Sequence, residues 1–292
     1  MEFLQPSTWT EALAMKAAHP EALPIAGGTD VMVEINFDRQ RPPAVIDLTR
    51  VAELNEWGMD DGLLRVGAGM TYTRIIDELG ERLPGLAMAS RTVGSPQIRN
   101  RGTVGGNLGS ASPAGDAHPP LLASDAFVEL ASTAGSRRIP ARDFYTGPKR
   151  SAIRKDELIA AFLMKPAQGP QQFSKVGTRN AMVIAVCSFS IALDVDARQV
   201  GTGIGSAAPT PVTAPGAEAF IERALDEAGL WERPDGILAP GVLARFGELV
   251  ASAARPIDDV RGTAAYRRHA LAVLSRRSFT WAWDEYRRTA AA

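Results

Sequence analysis

The sequence predicts an α+β fold in three units, and three observations carry that reading. Helix-forming segments alternate with short apolar strand candidates over residues 1–57. Residues 58–170 hold further strands and helices around a long glycine- and polar-rich stretch. From Gln171 to the end, residues 171–292, the chain reads as long antiparallel strands and then a helical tail.

In the first unit, residues 10–18 are rich in helix formers, with Ser7 or Thr8 as cap and Glu11 near the capping-box position. Leu23-Pro24-Ile25 is a short strand that feeds Ala26-Gly27-Gly28-Thr29-Asp30. Residues 30–35 leave that turn as helix or strand, Pro42-Pro43 breaks the chain, and residues 44–48 form a second buried strand. In the second unit, a strand over 63–68 follows an Asp60-Asp61-Gly62 turn. Helices are predicted over 71–79, with a threonine cap, and over 83–90. Residues 92–107 read as irregular. Pro119-Pro120 opens a helix, and strands follow at 127–130, 137–140 and 158–163. In the third unit, strands are predicted over 173–176 and 183–195, and the tail from Glu218 is helical. Its arginine pairs, Arg267-Arg268, Arg276-Arg277 and Arg287-Arg288, read as a solvated helix face.

Composition removes several classes of function. A net charge of −1 argues against an electrostatic grip on nucleic acid. No apolar run reaches the length of a membrane span, and the N-terminus lacks a basic segment followed by an apolar one, so a cytoplasmic address is expected. The one cysteine, Cys187, lies in an apolar run and reads as a buried structural thiol. It rules out an intrachain disulfide and an iron–sulfur cluster held by this chain alone. His19, His118 and His269 show no metal-ligand spacing, and neither a G-x-S-x-G elbow nor a G-x-x-x-x-G-K-[ST] loop occurs.

Two glycine pairs remain, in Ala26-Gly27-Gly28-Thr29-Asp30 and Thr103-Val104-Gly105-Gly106-Asn107. Paired glycines permit φ > 0 and leave no Cβ in the way, so each segment is either an ordinary tight turn or a backbone cradle for phosphate. The polar loop from Leu108 to Asp116 favours the cradle, because Asp116 can accept sugar hydroxyls while Thr29, Thr103 and Asn107 can donate to phosphate or flavin edges. Gly201-x-Gly203-x-Gly205-Ser206 is a broken G-x-G-x-x-G with serine in the third-glycine position. It reads as a strand end with a tight turn, which disfavours a nicotinamide Rossmann domain.

Four segments occur in order: the first glycine turn, Gln97-Ile98-Arg99-Asn100-Arg101-Gly102 running into the second, Ser112-Pro113-Ala114-Gly115-Asp116, and Gln172-Phe173-Ser174-Lys175-Val176-Gly177-Thr178-Arg179. Together they resemble the FAD-binding medium subunit of molybdenum hydroxylases, and residues 256–268 resemble that family's C-terminal domain. The resemblance implies a PCMH/VAO-type fold: two α/β subdomains clasp FAD and a C-terminal α+β domain follows. It places Pro24, Ile25, Ala26, Gly27, Gly28, Thr29, Asp30 and Val31, with Thr103, Val104, Gly105, Gly106 and Asn107, around the diphosphate. It puts Val93 and Ile159 against the cofactor, Asp116 on its sugar, and Lys175 near the flavin, where a cation stabilises negative charge. Val183 stands where many members carry an acid.

The implied function is an electron-transfer oxidoreductase subunit with no catalytic residue or metal of its own. Electrons come from [2Fe–2S] clusters on a small partner, a large partner carries the molybdenum cofactor, and NAD or another acceptor takes the electrons, in a dimer of heterotrimers. Segments 204–211 and 174–182 resemble bacterial xanthine dehydrogenases. Oxidation of carbon monoxide or an N-heterocycle is the alternative. So is a stand-alone flavoprotein oxidase, which would need an acid or base near the flavin.

Overall fold

A computed structural model describes residues 1–290. The first sheet comprises β1 (Glu2–Leu4), β2 (Leu23–Ile25) and β3 (Ala44–Asp47), with α1 (Trp9–Ala18) and α2 (Val31–Asn36) in the connections. Parallel strands need a crossover, and the two helices supply it; β3 lies between β1 and β2, parallel to both. The predicted cap forms: Thr8 Oγ1 accepts the Glu11 N–H at 3.2 Å, and the Glu11 carboxylate accepts the Ser7 N–H at 2.8 Å. Residues 31–36, left open between helix and strand, are helical.

The second sheet is antiparallel, in the order β4 (Trp57–Asp60), β5 (Leu63–Gly67), β10 (Leu158–Met164), β6 (Phe127–Ser132), β7 (Gly135–Pro140). Between β5 and β6 the chain forms α3 (Tyr72–Leu79), α4 (Pro84–Thr92), α5 (Pro96–Arg99), α6 (Val104–Ser110) and α7 (His118–Ala123). Then come β6 (Phe127–Ser132), β7 (Gly135–Pro140), α8 (Ala141–Phe144), the small hairpin β8 (Tyr145–Gly147) and β9 (Arg150–Ser151), and the central strand β10 (Leu158–Met164). The irregular stretch expected over 92–107 is therefore partly helical. Two caps explain this. Ser95 Oγ accepts the Ile98 N–H ahead of Pro96, and Thr103 Oγ1 accepts the Gly106 N–H at 2.8 Å.

The third sheet is antiparallel, β11 (Gln171–Val176), β12 (Cys187–Asp194) and β13 (Gln199–Gly205), backed by α9 (Pro215–Glu227), α10 (Val242–Ala253) and α11 (Ala264–Ala290). The strand expected from residue 183 begins only at Cys187. Arg179 closes the preceding turn through its bond to the Met182 carbonyl, and Met182 adopts φ 50°. On the helical side Phe279 stacks on Trp283 at 5.7 Å, and Trp231 and Tyr286 meet Trp283 edge-on.

Gly201 and Gly203 lie inside β13, while Gly205 ends it and Ser206 follows at φ 57°, so the strand end expected for this segment falls at its last glycine. Their face receives the backbone of α7. A Cβ on Gly201 would stand 1.9 Å from the Ala123 carbonyl oxygen, and one on Gly203 2.0 Å from that of Pro119. The alternate residues face away: Ile204 enters the core, and Thr202 Oγ1 accepts the Ala214 N–H at 2.9 Å. Among the described residues no helix is long and apolar enough to cross a membrane.

Five of the six paired tail arginines are exposed as expected, but Arg267 is buried. Its Nη1 donates to the Val186 carbonyl at 2.9 Å and the Ser206 carbonyl at 2.6 Å, and Nη2 pairs with Asp259. Arg267 thus pins the start of α11 to the ends of β12 and β13. Cys187, beside it in the chain fold, is buried as expected, and burial pushes its thiol up to about 12. Replacing Arg267 with Met strands two buried carbonyls, so the variant is expected to lose about 1–3 kcal/mol of unfolding free energy. Arg268→Met, on the exposed face, is expected to stay within about 0.5 kcal/mol. Chemical denaturation of both proteins checks the difference.

Candidate functional site

The two glycine segments, far apart in sequence, meet in space. Gly27 lies so close to the backbone of Arg101 and Gly102 that a Cβ would stand 1.9 Å from the Arg101 oxygen. Pro24 and Ile25 deliver this turn from β2, where they pair with Ile46 and Asp47. Gly28 takes φ +75°, and its carbonyl accepts the Met32 N–H at 3.0 Å, which starts α2. Ala26, Thr29 and Val31 are half-buried, while Asp30 is exposed at the head of α2 with its carboxylate free of any capping bond. Of the four paired glycines only Gly28 uses positive φ. Gly27 and Gly105 are there for space.

That space differs along α6. Gly105 packs on Ala68 at the end of β5, where a Cβ would stand 2.4 Å from the Ala68 oxygen. Val104 fills the core beside it. Gly106 faces outward, and a Cβ there would meet only Thr103 Oγ1, at 3.2 Å. The Thr103 hydroxyl is committed as acceptor to the Gly106 N–H but keeps its own proton to donate. Asn107 also turns partly inward. Its Oδ1 accepts the Ala117 N–H at 3.3 Å, so the amide nitrogen is the part left for a ligand. Ile159 sits where β10 shifts register against β6, and its Cδ1 lies 3.8 Å from the Cβ position of Gly109. Val93, just past α4, packs on the same core.

A second cluster forms at the end of α4. Lys175 Nζ donates to Asp116 Oδ2 at 2.6 Å and to the Thr92 carbonyl at 3.1 Å, and the single proton of Thr92 Oγ1 lies between the Ala89 carbonyl at 2.8 Å and the same Oδ2 at 3.1 Å. The Lys175 and Asp116 side chains are only 8% and 9% exposed, which makes this a buried ion pair between the third sheet and the loop before α7. Asp116 Oδ1 is buried with no partner. Burial raises the Asp116 carboxyl above the usual aspartate range, and the Lys175 ammonium pulls it back. Within the chain the Lys175 charge is paired with Asp116. Val183, in the position of the missing acid, folds over Gly177, where a Cβ would stand 2.2 Å from Val183 Cγ1.

Three residues of this region escaped the sequence reading. Thr92 is one. Tyr72 is another: its N–H donates to the Gly102 carbonyl at 3.0 Å, its ring lies 3.3 Å from the Cβ position of Gly102, and its hydroxyl is buried without a partner. Burial, and after it the Asp116 and Asp30 carboxylates, push the phenol far above its ordinary value. His118 is the third. Its Nδ1 pairs with the Tyr145 hydroxyl at 2.8 Å, and burial drops its pKa to about 3, so the ring is neutral. In the sequence Tyr72 reads only as part of the threonine-capped helix over 71–79.

These features suit a long, anionic nucleotide. Gly27 lets the first turn lie on Arg101–Gly102, Gly106 leaves open space at the start of α6, the Thr103 hydroxyl keeps a proton to donate, and Asp116 Oδ1 is a buried acceptor with no partner in the chain. Metal ligation is not needed to account for any of them.

Residues 1–164 match the family described as the FAD binding domain in molybdopterin dehydrogenase. A xanthine dehydrogenase FAD-binding subunit of Escherichia coli O157:H7 is 34% identical over 75% of this chain and 78% of its own length. A nicotinate dehydrogenase FAD-subunit of Eubacterium barkeri is 35% identical over 67% of this chain and 69% of its own. In fold, the chain is similar to quinoline 2-oxidoreductase from Pseudomonas putida 86, with a TM-score of 0.87, 22% identity and 98% of each chain covered. Sequence, fold and the paired glycine segments agree, and the chain belongs to the FAD-binding subunits of the molybdenum hydroxylase family.

Proposed function

We propose that this chain relays electrons through FAD, and that the observation carrying this reading is the direct contact of the Gly27 turn with Arg101–Gly102. On this reading residues 1–57 and 58–170 clasp the cofactor and 171–292 complete the site from the third sheet. Residues 24–31 hold one side of the diphosphate. Thr103, Val104, Gly105, Gly106 and Asn107 hold the other, with the Thr103 hydroxyl proton and the Asn107 side-chain amide nitrogen as donors. Asp116 takes a sugar hydroxyl on Oδ1, and Val93 and Ile159 flank the cofactor with apolar surface. When bound, FAD accepts electrons singly and donates them as a pair. The chain's own part is to place the cofactor, keep water from the Asp116–Lys175 cluster and present backbone dipoles to the phosphates.

We further propose that single electrons arrive from [2Fe–2S] clusters of a small partner, that a large partner holds the molybdenum cofactor, and that NAD takes the electrons from a dimer of heterotrimers. The buried, inert Cys187 supports a division of labour in which clusters sit on another chain. Xanthine is the favoured substrate of the whole assembly, supported by the Escherichia coli relative. An N-heterocycle is the second reading, favoured by the nicotinate dehydrogenase relative at equal similarity.

The purified chain is expected to carry one flavin, visible in its absorption spectrum. Gly106→Val is expected to lose it, because a branched side chain fills the open space at the start of α6. Full flavin occupancy in a folded Gly106→Val protein would show that α6 does not face the cofactor. Assayed as the assembled complex, turnover should occur with xanthine and NAD; activity on nicotinate alone would move the assignment to the second reading.

A further inference from the structure

We propose that Lys175 acts on the cofactor through Asp116: its ammonium holds the carboxylate ionised and fixed by Oδ2, and so keeps Oδ1 aimed as an acceptor for a sugar hydroxyl of FAD. The inference rests on the reading above that Asp116 faces the cofactor, and makes Lys175 a positioning residue.

Three observations carry it. Two of the three ammonium hydrogens are already used within the chain, on Asp116 Oδ2 at 2.6 Å and the Thr92 carbonyl at 3.1 Å. Oδ2 is held by that Lys175 bond, with Thr92 Oγ1 beside it, whose single proton lies between the Ala89 carbonyl at 2.8 Å and Oδ2 at 3.1 Å. Oδ1, by contrast, is buried and unpartnered, the signature of an acceptor whose donor comes from outside the chain. A lysine at the end of α4 also suits the carbonyl end of that helix.

The charged and titratable groups around Asp116 are few. From β11 comes Lys175, from α3 the phenol of Tyr72, and from α4 only the neutral Thr92. His118, two residues on in α7, is neutral and tied to Tyr145. With Lys175 gone, burial is left unopposed and the carboxyl takes up a proton more readily. A neutral acid is a weaker acceptor than a carboxylate. Binding of a hydroxyl donor favours the ionised form, so affinity for FAD then rises as pH rises through the carboxyl's pKa, and falls below it.

The test is titration of FAD into the full chain stripped of flavin, followed by flavin fluorescence at about pH 6 and about pH 8.5, ordinary limits for a folded protein. The wild type and Lys175→Arg are expected to bind equally at both. Lys175→Met is expected to bind about tenfold or more weakly at the lower pH, the scale of one hydrogen bond to a charged group, and to recover most of that loss at the higher. Asp116→Asn should bind weakly at both, and adding Lys175→Met to it should change nothing further. A pH-independent loss in Lys175→Met, or a further loss on top of Asp116→Asn, overturns the proposal, since Lys175 then reaches the cofactor by its own contact. Wild-type affinity in Asp116→Asn removes Asp116 from the site and overturns both this proposal and the reading beneath it. If Lys175→Met alone does not fold, the double variant, which removes both charges, is compared with Asp116→Asn and decides by the same criterion.

Discussion

Backbone lies directly on backbone where each sheet meets its neighbour, and the rest of the architecture follows from that closeness. Gly27 brings the first sheet against Arg101, Gly105 seats α6 on the end of β5, and the glycine face of β13 receives α7. At each contact a single methyl group would overlap main-chain atoms that cannot step aside. The contacts therefore set the distances between the three sheets, and the spaces they leave are fixed by main chain and not by adjustable side chains. Preorganisation of that kind lowers the ordering cost of binding a long, flexible nucleotide.

Electrostatics then divides the site in two. Around the glycine segments the available groups are N–H dipoles and a hydroxyl, which suit the spread charge of a diphosphate. At the far end the charges are explicit but internally balanced, Lys175 against Asp116 with Thr92 bridging both. Breaking such a buried pair leaves an uncompensated charge, which makes its two members interdependent in a way exposed pairs such as Arg142–Asp125 are not.

Much of this was legible in the sequence because its signals are local. Caps at Thr8 and Thr71 and the apolar strands at 44–47 and 158–164 need only neighbouring residues to be recognised. The order of the glycine segments pointed to one site, and the structure joins them. What escaped depends on tertiary partners. α6 contains three glycines and reads as loop until Thr103 is seen to cap it. Arg267 is one of six similar arginines, and nothing in its own neighbourhood distinguishes the one that carries two carbonyls and Asp259. The glycines of β13 carry a strand pattern with no side chains on one face, and only the presence of α7 explains it. Asp116 and Lys175 were each found, but their bond spans 59 residues, and no spacing rule connects them.

The loop before α7 is held by segments made much later than itself. The Lys149 N–H reaches the Ala111 carbonyl, the Ser206 N–H reaches the Pro113 carbonyl at 2.7 Å, and Lys175 takes Asp116. During synthesis the tethers come in turn, from Lys149, then Lys175, and last from Ser206 beyond β13. The two glycine segments are made early, while the loop that carries Asp116 is fixed late. Closing of that loop is thereby coupled to completion of the third sheet, and a chain interrupted before residue 206 carries the glycine signature with the loop untethered at Pro113.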